Sequence, residues 1–111
     1  MGQIIDITGR ITNELPIVRI TEELTVTVNN RKNTILNVRA MVLEMQKKAQ
    51  TDSGYNETTL MSKVIEMLTG KKSADEIEKL DLPYPEYKIV YDALMAAATG
   101  ESLEDVEARF Q

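Results

Sequence analysis

The sequence predicts an α+β, mostly α protein: a small N-terminal β-hairpin or sheet followed by a bundle of four to five helices. Three observations predict it. The stretch "LTVTV", residues 24–28, alternates apolar and polar side chains and is β-branched at four of its five positions, as a strand with one buried face would be. From residue 33 onward apolar residues recur at helical spacing, broken only by short polar or glycine- and proline-containing stretches. At 111 residues, 42% hydrophobic and 28% charged, the chain is long enough for one modest core and lies far from the composition of disordered chains. A single domain over residues 1–111 is expected, β-rich over 1–30 and helical over 33–111, with no repeat or linker to divide it.

The elements follow in order. "QIIDITGRI" (3–11) and "PIVRI" (16–20) are rich in β-branched residues, although Gly9 and Pro16 punctuate them. Thr21, Glu22 and Glu23 supply a hairpin turn between Ile20 and Leu24. After the turn-forming "NNRKN", Ile35, Val38, Met41, Val42, Met45 and Ala49 define a long amphipathic helix with Asn33 as its expected N-cap. Leu36 and Leu43 widen its apolar band, which predicts contacts on more than one side. "TDSGYN" breaks the pattern, and Leu60, Met61, Val64, Ile65 and Leu68 resume it up to Gly70, placed to close the helix in a left-handed conformation. Ser73 and Glu76 have the spacing of a capping box for a third, short helix. Pro83 and Pro85 hold the next stretch extended, with Pro85 as the first residue of a helix from about Glu86 to Thr99 that ends at Gly100. Ser102 and Asp105 resemble a further cap, leading into "LEDVEARF".

Composition excludes much chemistry. There is no Cys and no His, so disulfides, thiolate or imidazole metal sites and His-based nucleophilic catalysis are ruled out. The net charge of −5 opposes phosphate backbones, and the basic doublets Arg31–Lys32, Lys47–Lys48 and Lys71–Lys72 read as solvated helix ends. No nucleic-acid partner is expected. No stretch approaches the roughly 18 apolar residues of a membrane span, and the first ten residues carry neither a basic-then-apolar leader nor a myristoylation signal, Asp6 standing where Ser or Thr would be needed. An intracellular protein without a membrane partner is expected, so the acceptor pattern at Asn56 has no glycosylation to report. The glycines are too scattered to cradle a phosphate, and Glu101, Glu104, Asp105 and Glu107 read as a solvated helix start favoured by the helix dipole. No catalytic residue, cofactor site or metal site is expected.

What remains is apolar. Tyr84, Tyr87, Tyr91, Leu94 and Ala98 track one side of the fourth helix, either as core-edge residues with rings inward and hydroxyls in water or as an aromatic strip for a partner. Ala96, Ala97 and Ala98 let another backbone approach closely. Met41, Met45, Met61, Met67 and Met95 against a single Phe make an adaptable apolar inventory, suited to core filling or to irregular helical partners, with Met67 beside the main stripe of its helix.

The order of these motifs resembles the tail assembly chaperones of long-tailed phages and prophages of Gram-positive bacteria. The resemblance lies in "TVTVNNRKNTILNVRAM", a strand, an Asn-rich basic turn and a long helix. It lies still more in "LDLPYPEYKIVYDALMAAATGESLEDVEARF", with its Leu-Pro-aromatic opening, its Ile-Val/Met-Ala helix, a Gly and an acidic terminal helix closing on Arg-Phe. These segments and the helices between them span about residues 24–110; neither is a catalytic fingerprint. The resemblance implies a non-enzymatic protein of the bacterial host cytoplasm, not retained in the mature virion. Its partner would be the tape-measure protein, kept soluble until tail tube protein arrives, with some self-association. On that reading Tyr84, Tyr87, Tyr91, Met95 and Met67 are the partner-binding residues inferred for this chain. The alternatives are a structural tail component, such as a completion or connector protein, and a small acidic protein-binding regulator.

Overall fold

In the computed structural model, which describes residues 3–11, 14–51 and 57–109, two short strands precede five helices. β1 (Ile17–Arg19) and β2 (Thr25–Thr27) pair antiparallel, with Val18 opposite Val26. The expected turn joins them: the Ile20 amide donates to the Leu24 carbonyl at 2.9 Å, and the Thr21 hydroxyl accepts from the Leu24 amide at 3.0 Å. Alternation then does its work, since Val26 and Val28 are buried while Thr25 and Thr27 face outward. The Asn29 amide donates to the Leu68 carbonyl at 2.7 Å, tying the end of the hairpin to a helix end.

The β-branched stretch at residues 3–11 forms no strand. Asp6 instead accepts from the Thr8 amide (3.0 Å) and the Thr8 hydroxyl (2.8 Å), turning the chain into one 3₁₀ turn, Thr8–Arg10. The backbone amide holds the Asp6 carboxyl below its ordinary value, with the hydroxyl adding to it. Ile4, Ile5, Ile7 and Ile11 are left exposed.

The helices are α1 (Lys32–Thr51), α2 (Glu57–Thr69), α3 (Lys71–Lys79), α4 (Tyr84–Thr99) and α5 (Leu103–Arg109). α1 starts one residue before Asn33, so Asn33 is not its cap; Asn29 takes part of that role, its side-chain oxygen accepting from the Arg31 amide at 3.1 Å. α2 buries Leu60, Met61, Val64, Ile65 and Leu68, the full stripe read from the sequence. Gly70 is not left-handed helical: at φ 90° and ψ 160° it occupies backbone space open almost only to glycine. It ends α2 through its amide to Glu66 (2.8 Å) and starts α3 through its carbonyl to the Ala74 amide (3.0 Å). Because α3 begins already at Lys71, Ser73 lies inside its first turn and no side chain caps it; the capping box does not form. α4 likewise starts earlier than expected, with Pro83 as N-cap and Pro85 at the second helical position. Gly100 closes it in the left-handed conformation (φ 76°, ψ 10°), its amide donating to Ala96 at 2.9 Å. The Ser102 hydroxyl accepts from the Asp105 amide at 3.1 Å, so this cap is present.

α4 is the central element. It packs against α2, α5 and β1, and buries Tyr87, Val90, Tyr91, Leu94, Ala96 and Ala98. α2 and α3 close one side, β2 contributes Val26 and Val28, and α5 buries Val106 where it docks on α4. α1 differs from all of these. Among its described side chains only Val38 is buried; Ile35, Met41, Val42 and Met45 are half-covered, and Leu36 and Leu43 lie exposed. The contacts on several sides expected of Leu36 and Leu43 are not made. The Ala49 side chain, the break at residues 52–56 and Phe110 lie outside the described residues.

Candidate partner-binding groove

Three tyrosines enter α4 and do different things. Tyr87 is buried, and its hydroxyl donates to Glu78 of α3 at 2.9 Å while lying 2.9 Å from the Ser62 hydroxyl of α2. Ser62 reaches the same Glu78 oxygen at 3.1 Å, so one polar knot joins three helices. Burial raises the Tyr87 hydroxyl's pKa; the Ser62 bond opposes this and Glu78 adds to it. Tyr84 is 49% exposed and donates to Glu57 at 3.2 Å. Its pKa is raised too, by desolvation first and then by the Glu57 charge. These two rings border a hollow of about 210 Å³ with Ile77 and Leu82. Tyr91 is buried and looks onto a different one.

The sequence-derived strip is therefore divided. Tyr84 and Tyr87 belong to the α2–α3–α4 seam, whereas Tyr91 and Met95 lie beside α1. Met67 is half-buried against the core and lines neither side. Tyr87 and Tyr91 are core-edge residues, as one of the two sequence readings has it, and Tyr87's hydroxyl is bonded within the protein.

Between α1 and α4 runs a groove of two adjoining cavities that share Val42 and Met95. One, about 330 Å³, is bordered by Val38, Arg39, Leu43, Thr99 and Glu101. The other, about 230 Å³, reaches α2 at Glu57, Leu60 and Met61, and is completed by Gln46, Lys88, Tyr91 and Asp92. Val38, Val42, Leu43, Leu60, Met61 and Met95 form the groove's apolar wall, and polar or charged side chains stand at both ends: Arg39, Thr99 and Glu101 at one, Gln46, Glu57, Lys88 and Asp92 at the other. The groove exists because α1 leans on the core through so few residues while α4 beside it packs on α2, α5 and β1.

Asp92 is the residue sequence reasoning missed. It is 3% exposed, and its Oδ1 accepts no hydrogen bond. Burial pushes its carboxyl above the ordinary value; Lys88 pulls the other way, and Glu107 of α5 adds to the rise. A signal was available: "IVYDALMAAA", residues 89–98, holds one charge in an otherwise apolar run, and such a charge on a central helix has nowhere to go but inward.

Chemically the groove can hold apolar side chains and a cation. Among the described residues no group of three or more His, Cys, Asp or Glu side chains is placed to hold a metal ion. No helix is long and apolar enough to cross a membrane. The site defines a small helical protein with an open apolar groove; no protein family, curated protein or solved structure matches the chain.

Proposed function

We propose that this chain is a phage tail assembly chaperone: a non-catalytic protein of the bacterial host cytoplasm that holds the tape-measure protein soluble until tail tube subunits replace it. One observation carries the reading. A helix of 20 residues, about 30 Å long, leaves all but one of its described side chains half-covered or exposed beside a methionine-containing groove. A helix with that much uncovered apolar surface gains from a second apolar helix laid alongside, and helix-in-groove recognition reads its targets through such positions. Met95, half-buried and lining both cavities, suits a surface that must fit many helical segments in turn. Tape-measure chains carry long apolar helical stripes that aggregate when bare, so a chaperone of this kind makes modest contacts repeated along its client and releases them one by one. The resemblance over residues 24–110 supplies the client's identity.

The exposed isoleucines at positions 4, 5, 7 and 11 favour one rival, a structural tail component that self-assembles through an apolar arm. Co-expression with the tape-measure protein of the same phage, then size-exclusion chromatography with light scattering, separates the two. The chaperone reading expects a soluble complex with several copies per client. A precipitated client beside a defined ring of this protein alone refutes it.

A further inference from the structure

Asp92 is a buried acid that the packing of the core does not explain. Every other buried side chain among the described residues is apolar or a tyrosine. The Asp92 cavity gathers two carboxylates, Glu57 and Asp92, against one cation, Lys88, and Glu107 lies with Asp92 and Lys88 on a second hollow on the α5 side. The balance is negative, and one carboxylate oxygen is buried without a donor.

We propose that this end of the groove receives the ammonium of a lysine side chain from the partner's helix, its methylene stem lying between Met61 and Met95. The proposal rests on the reading that the groove seats a helical partner, and names the anchor that partner must carry. Two features select lysine. The cavity, about 230 Å³, is smaller than the roughly 300–1,000 Å³ of sites for whole small molecules, and matches a single side chain. Val42, Leu60, Met61 and Met95 line it together with the Glu57 and Asp92 carboxylates, which suits an apolar stem with a compact charged head.

The probe is hexylammonium, compared with hexylguanidinium and with neutral 1-hexanol, each titrated into the full chain carrying ¹³C-methyl methionine. The Met61 and Met95 methyl resonances report the site directly. Hexylammonium is expected to shift both, with millimolar affinity and about ten-fold more tightly than hexanol, as a charge-assisted bond in an apolar setting provides. Asp92→Asn is expected to erase that preference. Equal binding of amine and alcohol to the unaltered chain overturns the proposal whether or not the variant folds, and tighter binding of the guanidinium overturns the choice of lysine. The probe needs no client. Amine binding without co-purification of the tape-measure protein therefore refutes the chaperone reading alone, and co-purification without amine binding refutes the lysine anchor alone.

Discussion

Asp92→Asn should make this protein more stable at neutral pH, although it removes a charged group from the middle of the molecule. The native carboxylate is 3% exposed with one oxygen unpartnered, and leaving a buried polar group in that state costs about 1–3 kcal/mol, more when it is charged. Asparagine keeps the shape and removes the charge but not the need for hydrogen bonds, so only part of the penalty is recovered, on the order of 1 kcal/mol. For a chain of this size that is a rise of roughly 4 °C in Tm. The sign with pH follows from the direction of the shift. The Asp92 carboxyl is held above its ordinary value, chiefly by burial, so the folded state favours the proton. Below the unfolded-state value both states are protonated and the group costs nothing; as pH rises through the folded value that stability is lost by the native protein and kept by the variant. The gain should be near zero at about pH 3.5 and larger at about pH 7. Urea titrations followed by circular dichroism at both pH values measure it. A variant less stable than the native protein at neutral pH would mean that Lys88 and Asp92 form a net-stabilising pair, and the reasoning about an uncompensated acid would be wrong.

Three further outcomes are expected. Gly70→Ala should cost more stability than Gly100→Ala, about 1–3 against about 1 kcal/mol, because neither glycine has a neighbour within 4 Å to clash with and only the backbone conformation differs; paired denaturation curves give the order. Tyr87→Phe should lose about 1 kcal/mol and no more, since Ser62 and Glu78 still bond each other at 3.1 Å, and a calorimetric Tm measures it. The pair Ile4→Ser and Ile5→Ser should change the urea midpoint by less than about 0.5 kcal/mol equivalent, because both side chains lie more than four-fifths exposed; a larger loss would show that the arm packs on the fold.

The helical frame was legible because burial and periodicity agree in it. Leu60, Met61, Val64, Ile65 and Leu68 sit inward at the spacing that announces them, and the hairpin at Thr21 has turn chemistry matching its strands. The errors fall where two local preferences compete. Gly70 starts α3 two residues before Ser73 could cap it, and the bond between Asp6 and Thr8 turns a β-branched stretch away from any strand. The aromatic strip was legible as a pattern on one helix but not as a surface, because which side of α4 faces α1 and which faces α3 depends on packing that no single helix encodes. Asp92 was passed over for a related reason: as one acid beside Tyr91 it looks like a solvated edge until residues 90–98 of its helix prove covered.

That covering gives the groove its meaning. Residues 90–98 of α4 are all buried or half-buried, so α1 cannot press closer to this part without displacing the side chains of Tyr91, Met95 and Asp92, and Val42 and Met45 stay half-covered. A protein selected only for stability would fill such a gap with larger apolar residues and would put leucine or asparagine where Asp92 stands, each a small change with a gain in stability. Keeping both an unfilled apolar channel and an uncompensated acid at its end lowers the stability of the free chain in one place, and both deficits are relieved by the same object, an apolar helix with a cation at the right turn. On the proposed reading, the free energy missing from the fold becomes available to binding and gives weak, repeatable attachment.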